Sequence, residues 1–304
     1  MGQPIDGAVV KETGKRLFCF GLGFSAEALA RRLSEQGFAV AGTCRGVEKA
    51  VALAAKGFEM HLFDEGHPLA GPAAALGGTT HLLLSIPPGA AGDPAFAAHA
   101  RDIAALAPSL EWVGYLSTTG PYGDRGGDWV TEDAPLAPST ERGRRRLAAE
   151  EAWRGLAADA GLPLHIFRLA GIYGPGRNQI RSLLDGTAKR VVKEGQVFSR
   201  IHVEDIGAVL EASIARPNPG AVYNVCDDEP APPQDVVAYA ALLLGREPPP
   251  EIPFEKAELS PMARSFYAES KRVSNRRIRE ELGVLLAYPT YREGLDALVE
   301  LETN

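Results

Sequence analysis

The sequence predicts an α/β fold, a doubly wound parallel sheet with helices on both faces and a small C-terminal lobe. Two observations lead to this prediction. Short apolar runs alternate with helical patterns through the first half of the chain, as expected for successive βαβ units. These runs are continuous rather than alternating, which is typical of strands that are covered on both faces.

Six predicted strands lie between residues 16 and 169. A helix is predicted after the first of them, over 25–37, where Ala26, Leu29, Ala30 and Leu33 recur at helical spacing and form one apolar face. The six strands are 16–20, 38–44, 58–63, 80–86, 111–117 and 163–169.

After the sixth strand the pattern is less regular. Residues 220–228 form a further predicted strand, and 232–245 a helix that begins with prolines and ends at a glycine. The Pro-rich segment 246–261 is predicted to be a connector, and the charged segment 270–283 a helix. We expect these later segments to complete the sheet and to form the lobe at its carboxyl edge.

Composition narrows the class of protein. Hydrophobic residues make up 45% of the 304 residues, which is enough for a sizeable core. The net charge of −7 argues against nucleic-acid binding, which needs a basic surface. No segment has the length and apolarity of a signal peptide or a membrane span.

The cysteines and histidines give no sign of a metal site or a disulfide framework. The three cysteines, Cys19, Cys44 and Cys226, are widely scattered, and the histidines show no ligand spacing. Cys19 and Cys44 lie in apolar runs and are predicted to be small buried hydrophobic residues. This cysteine usage fits a reducing cytoplasm, and we expect a cytoplasmic protein without a metal.

A glycine turn joins the first predicted strand to the first predicted helix. Gly21, Gly23 and Ala26 form a G-x-G-x-x-A pattern there, which indicates a Rossmann-type dinucleotide site. Gly21 permits the tight turn, Gly23 lets the backbone approach a pyrophosphate, and Ala26 lets helix and strand pack closely. Phe24 and Ser25 begin the helix, whose free N–H groups are suited to phosphate.

Three residues at the ends of neighbouring strands complete the predicted cofactor site. Arg45 follows the second strand, where an NAD site usually has an acidic residue for the ribose 2′-hydroxyl. A cation there suits a 2′-phosphate, so the sequence favours NADP while leaving NAD open. Asp64 directly follows the third strand and is predicted to reach the adenine amino group, and Ser85 lies near the end of the fourth.

Four further motifs follow the glycine turn along the chain. They are YLSTTGPYGD (115–124), FRLAGIYGPGRN (167–178), SRIHVEDIG (199–207) and VYNVCDDEP (222–230). In this order, the five motifs resemble the extended short-chain dehydrogenase/reductase family, in particular its atypical NAD-dependent epimerase/dehydratase-like members. The resemblance covers about residues 16–298 and implies a nucleotide-binding domain with a small C-terminal substrate lobe.

Members of that family normally carry a Tyr-x-x-x-Lys pair on one helix face, and this chain lacks it. The resemblance places Arg142 at the Tyr position and Arg146 at the Lys position, a register that Leu147 and Glu150 support. In the family, the Tyr acts as general acid or base and a Ser/Thr, here Thr118, holds the substrate oxygen. A guanidinium stays protonated at any useful pH, so Arg142 cannot shuttle protons. Arg146 can still donate to ribose hydroxyls.

Three interpretations of this helix remain open. In the first, Tyr122 handles protons instead, with Thr118 or Thr119 orienting the substrate, because Tyr122 lies just beyond the strand-end Ser/Thr run. In the second, the arginines at 142 and 144–146 form a clamp for a phosphorylated or carboxylated substrate. In the third, they are a solvated basic face on a protein that binds a nucleotide without turning it over.

The sequence therefore predicts an NAD(P)-binding epimerase/dehydratase-like protein or reductase for a small polar or sugar-like substrate. The alternative is a non-catalytic NAD(P)-binding regulator or interaction protein. Tyr173 is expected to help close the cofactor pocket, and a homo-oligomer is compatible with the sequence. We expect a flexible arm over 1–15, a Rossmann domain over 16–170, and a region over 171–304 that completes the sheet and forms the substrate lobe.

Overall fold

The computed structural model describes residues 14–303. In chain order, its strands are β1 (Arg16–Phe20), β2 (Ala39–Cys44), β3 (Glu59–Leu62), β4 (His81–Leu84), β5 (Trp112–Thr118), β6 (Trp129–Val130), β7 (Leu164–Leu169), β8 (Gly171–Tyr173), β9 (Arg190–Val192), β10 (Arg200–His202), β11 (Val222–Val225), β12 (Glu251–Pro253) and β13 (Arg272–Val273). Its α-helices are α1 (Phe24–Glu35), α2 (Val47–Ala54), α3 (Pro72–Ala75), α4 (Pro94–Ala105), α5 (Glu141–Ala160), α6 (Gln179–Leu184), α7 (Val203–Ala215), α8 (Pro233–Leu243), α9 (Pro261–Phe266), α10 (Arg276–Glu280) and α11 (Tyr291–Thr303).

Seven strands form one parallel sheet in the order β11-β7-β5-β4-β1-β2-β3. The chain starts in the middle at β1, adds strands on one side to β3, and then crosses to β4 on the other side of β1. In such a sheet, ligands bind outside the carboxyl ends of the strands where the order reverses, here between β1 and β4. This confirms the predicted fold class and locates the edge at which a site is expected.

The core lies on both faces of the sheet, which explains the continuous apolar strands. On one face, Leu29 and Leu33 of α1 pack with Val209 and Leu210 of α7. On the other face, the helices α4 and α5 pack on the sheet, with Trp153 fully buried. The three cysteines are free and buried, as expected for small apolar residues.

A smaller assembly of helices and short strand pairs covers the carboxyl edge. Its apolar centre contains Tyr173, Ile180, Val236 and Tyr291, contributed mainly by α6, α8 and α11. The strand pairs are β8 with β10, β9 with β12, and β6 with β13. Residues 1–13, most of the predicted arm, lie outside the described part of the chain.

One predicted element of the tail is wrong. The sequence pattern predicts a single helix over 270–283, but α10 begins only at Arg276. Upstream of it, the Arg272 amide donates to the Asp128 carbonyl and the Val273 amide donates to Ser199 Oγ. Pairing with β6 therefore holds this part of the chain extended. Among residues 14–303, no helix is long and apolar enough to cross a membrane.

Candidate nucleotide and substrate site

The glycine turn has the geometry that a dinucleotide requires. Gly21 has φ +86°, and a Cβ there would lie 2.7 Å from Ile86 Cγ1, so both the backbone and the packing demand glycine. Its amide donates to Thr43 Oγ1 at 2.8 Å, which fixes the turn to β2. A Cβ on Gly23 would meet nothing closer than the Gly21 carbonyl oxygen at 3.9 Å. The backbone at Gly23 is therefore open to a ligand.

The helix that follows the turn begins without a side-chain cap. Gly23 is the N-cap of α1, and a glycine has no side chain that could accept from the first-turn N–H groups of the helix. Phe24 and Ser25 start that turn, and Ala26 is buried against the sheet. An uncapped helix N-terminus of this length is suited to bind a phosphate. Next to the turn, the Ser85 amide donates to the Phe20 carbonyl oxygen at 2.9 Å, which places Ser85 at the same edge.

Arg45 and Asp64 differ in how far their side chains are already engaged. Arg45 is exposed just after β2 and makes no hydrogen bond or ion pair with any residue in 14–303. Asp64 instead accepts hydrogen bonds from the amides of Gly66 and His67, at 2.8 and 3.0 Å, and contacts His67 Nδ1. The hydrogen bond with the His67 side chain and these amide bonds lower the Asp64 pKa. These contacts hold Asp64 in its own turn, and its contact with adenine stays a prediction.

A cavity of about 880 Å³ lies beyond the glycine turn, between the carboxyl edge of the sheet and the smaller assembly. Its size is in the usual range for a small-molecule site. Thr118, Arg142, Arg146 and Tyr173 all line it, so four residues chosen from the sequence meet at one place.

Arg142 and Arg146 reach the cavity in different ways. The Arg142 guanidinium lies 4.2 Å from the ring centroid of Phe266, and burial lowers its pKa. Arg146 is only 8% exposed, and its Nη1 donates to Tyr115 Oη at 3.0 Å and to the Leu116 carbonyl at 2.8 Å. These bonds tie α5 to the end of β5.

The neighbouring arginines Arg144 and Arg145 face solvent. Both pair with Glu141 of the same helix. The interpretation of a solvated basic face applies to these two residues, whereas Arg142, although exposed, also lines the cavity.

Tyr122 does not lie where a proton shuttle is needed. It is fully buried, its hydroxyl donates to Asn224 Oδ1 at 2.7 Å and accepts from Arg168 Nη1 at 3.0 Å, and it is not among the cavity-lining residues. Arg168 in turn pairs with the fully buried Glu150 at 2.8 Å. Burial raises the Tyr122 pKa, which opposes proton release. We therefore correct the expected catalytic role of Tyr122 to a structural one.

Tyr173 and His202 form the rim where the smaller assembly joins the sheet. Tyr173 lines the cavity, its hydroxyl donates to the Thr290 carbonyl at 3.4 Å, and its ring meets the His202 ring edge to face at 5.2 Å. The His202 ring accepts from the Glu204 amide and caps α7. The ring contact with His202 thus orients Tyr173, and His202 itself has a structural role as the cap of α7.

Sequence reasoning missed several polar residues of the cavity wall, among them Arg200, Glu269 and Lys271. Arg200 lies within the motif 199–207, but nothing in that motif indicates that its charged side chain lines a cavity. In the structure it donates to the carbonyls of Phe198 and Ala231. Lys271 lies in the segment 270–283 that the sequence pattern predicts as a helix, and Glu269 directly precedes it. Within residues 14–303, no group of three or more His, Cys, Asp or Glu side chains is placed to hold a metal.

Comparison with known proteins places this geometry in a family. The model of the NAD dependent epimerase/dehydratase family matches residues 99–226. Protein YeeZ of Escherichia coli (strain K12) is 30% identical over 285 residues, which cover 90% of this chain and 97% of that protein.

Two solved structures share the fold. A functionally unknown conserved protein from Silicibacter pomeroyi is 55% identical with a TM-score of 0.86, over 93% of this chain and 98% of that chain. UDP-glucuronic acid 4-epimerase from Bacillus cereus, solved with UDP-glucuronic acid and NAD, has 16% identity and a TM-score of 0.74, over 95% and 99% of the two chains. Together with the glycine turn and the cavity beside it, these similarities show that the chain belongs to the NAD-dependent epimerase/dehydratase family.

Proposed function

We propose that this protein binds NAD(P) and carries out an epimerase/dehydratase-like or reductase reaction on a small polar or sugar-like substrate that bears a negative charge. The supporting observation is the charge of the cavity wall. Most of its cations face the cavity without a carboxylate partner. The glycine turn follows β1 at the same carboxyl edge of the sheet, so cofactor and substrate would meet near the carboxyl ends of β4 and β5.

The wall carries more positive charge than its own carboxylates neutralise. Six cationic and two acidic side chains line the cavity, and they are Arg142, Arg146, Arg177, Arg181, Arg200 and Lys271, with Asp185 and Glu269. Arg181 pairs with Asp185, and Lys271 with Glu269. The other four cations form no ion pair with a carboxylate of residues 14–303. An anionic ligand would supply the missing partner, since arginine forks match carboxylate and phosphate oxygens.

A bound nicotinamide cofactor would supply hydride chemistry, and the residues of this chain would hold the reactants. Gly21, Gly23 and the first turn of α1 are suited to the pyrophosphate. The unpaired Arg45 favours NADP over NAD, because it would neutralise a 2′-phosphate. Thr118 Oγ1 accepts from the Gly120 amide at 3.1 Å, which leaves the hydroxyl proton for a substrate oxygen.

Calorimetric titration tests this proposal in two arms. The first arm measures NADP and NAD on the purified protein, and the failure of both nucleotides to bind would overturn the proposal. The second arm uses UDP-glucuronic acid as an anionic probe in wild type, Arg142→Gln and Arg144→Gln. Loss of one charged hydrogen bond costs about 1.5–3 kcal/mol. Arg142→Gln should therefore bind the probe about 10- to 150-fold more weakly.

The matched control lies close by on the same helix. Arg144 is exposed and pairs with Glu141, so Arg144→Gln should leave probe affinity unchanged. Equal effects of the two substitutions would show that general charge, not the cavity, attracts the anion. Tight nucleotide binding with no affinity for the probe would instead favour the alternative function, a non-catalytic NAD(P)-binding regulator or interaction protein.

A further inference from the structure

The cavity wall holds a lysine beside the position from which the family tyrosine is missing. Lys271 comes from the extended segment before β13 and lines the cavity together with Thr118, Gly120 and Arg142. It is 7% exposed. A lysine is rarely buried to this degree unless it is paired, and this one has one carboxylate partner, Glu269, at 2.7 Å.

Hydrogen bonds of Lys271 and of the adjoining Ser270 hold Lys271 in place. Its Nζ donates to the Gly123 carbonyl oxygen at 2.7 Å, in the loop that follows β5. The adjoining Ser270 donates its amide to Asp124 Oδ1 at 2.7 Å and its hydroxyl to the Gly195 carbonyl at 2.9 Å. A side chain that is fixed in this way needs little further ordering when a ligand binds.

Glu269 links Lys271 to the start of the helix that carries Arg142. Its Oε1 accepts from Ser139 Oγ at 2.6 Å, and its Oε2 accepts from Lys271 Nζ. Ser139 lies just before α5, so the Glu269–Lys271 pair stands next to the first turn of that helix. An ammonium has three N–H groups, and here two of them have protein partners. The third has no protein partner within residues 14–303, and Lys271 lines the cavity, so a bound ligand could accept from it.

We propose that Lys271, paired with Glu269, is the proton-transfer residue of this cavity in place of the missing tyrosine. This inference rests on the proposed function. When negative charge develops on a substrate oxygen, one Nζ–H bond breaks, its electron pair stays on nitrogen, and an O–H bond forms on the substrate. Lys271 is left as a neutral amine and regains a proton from water. In reverse, the neutral amine takes the proton of a substrate hydroxyl.

The charges around Lys271 support this role. Burial lowers the pKa of Lys271, while Glu269 and Asp124 raise it and Arg125 lowers it further, with a net downward shift. A lysine whose pKa is lowered by burial gives up its proton more readily than an exposed lysine, which suits a proton-transfer residue. Arg142 interacts electrostatically with the same Glu269, so this carboxylate faces both cations.

Chemical labelling of the wild-type protein tests the inference without requiring a known substrate. Pyridoxal 5′-phosphate forms an imine with a neutral lysine amine and releases water, and borohydride then fixes the label for peptide mass spectrometry. Labelling of Lys271 should begin at lower pH than labelling of the exposed Lys49. In Glu269→Gln the onset for Lys271 should move to still lower pH, because the carboxylate that raises its pKa is gone. Equal onsets for Lys271 and Lys49, or no labelling of Lys271, would overturn the inference.

Protection by a ligand tests whether Lys271 contacts the substrate. Saturating UDP-glucuronic acid should reduce labelling of Lys271 at least about tenfold, and leave Lys49 unchanged. If calorimetry shows that the probe binds and Lys271 is still labelled at the same rate, this inference fails and the proposed function stands. If neither nucleotide binds, the proposed function fails, and the pH onset of labelling still shows whether Lys271 is a reactive amine.

Where the wild type turns a substrate over, kinetics provide the final test. Loss of a general acid costs about 10²–10⁴ in rate. Lys271→Met should lose this factor in kcat at unchanged nucleotide affinity. Lys271→Arg, which keeps the charge but cannot release a proton, should be equally slow. Rescue of kcat by Lys271→Arg would show that only the positive charge matters and would refute proton transfer.

Discussion

Gly23→Val should abolish close approach of a pyrophosphate while leaving the protein folded. Gly23 has φ −106° and ψ −166°, an extended conformation that valine adopts readily. The added Cβ would meet no protein atom closer than 3.9 Å, so the substitution projects into the space left for the ligand. Loss of one charged hydrogen bond between the pyrophosphate and the turn costs about 1.5–3 kcal/mol. Affinity for NADP and NAD should therefore fall about 10- to 150-fold.

Two further glycines provide the controls for this experiment. Gly155 lies on the exposed face of α5, and a Cβ added there would have no heavy atom within 4 Å, so Gly155→Val should bind both nucleotides normally. Gly21→Ala should instead lower the thermal midpoint, because Gly21 has a positive φ and no room beside Ile86. Calorimetry measures affinity, and thermal unfolding measures stability. Unchanged nucleotide affinity in folded Gly23→Val would refute the assignment of the turn.

Three other substitutions test separate parts of the structure. Arg45→Ala should weaken NADP about 10- to 100-fold and leave NAD nearly unchanged, and calorimetry showing equal losses would contradict the 2′-phosphate assignment. Tyr122→Phe should lower the free energy of unfolding by about 1–3 kcal/mol, because Arg168 and Asn224 lose the hydroxyl group that they share. Its nucleotide affinity should not change. Burial raises the pKa of Asp227 to about 8. The folded state therefore keeps a proton that the unfolded chain loses above about pH 4. The free energy of unfolding should fall as pH rises from about 4 to about 8. In Asp227→Asn, thermal midpoints should lose this pH dependence.

Local sequence patterns were sufficient for the sheet and for the cofactor turn. All seven strands of the sheet are predictable, because a strand buried on both faces is an unbroken apolar run in the sequence itself. The turn at Gly21 and Gly23 is predictable because its requirements are local: a positive φ at one residue, an absent side chain at the next glycine, and the start of a helix. Arg142 and Arg146 were located through the register of a single helix.

The substrate side of the cavity depended on contacts between distant segments. The charged segment 270–283 has a helical pattern, yet its first residues are extended because Arg272 and Val273 pair with β6. Nothing within the segment reveals that partner. The same pairing brings Lys271 to the cavity, so the error in secondary structure concealed a residue of the candidate site.

The sequence by itself determined the fold class, the dinucleotide turn and the loss of the family tyrosine and lysine, since each depends on residues close together in the chain. The tertiary structure decided which side chains share the cavity. Tyr122 does not line the cavity, because its hydroxyl is bonded to Arg168 and Asn224. Lys271, by contrast, lines the cavity together with Arg142. Both outcomes have one physical cause: burial and hydrogen bonding of a polar group are set by neighbours from other strands and helices, which no local pattern specifies.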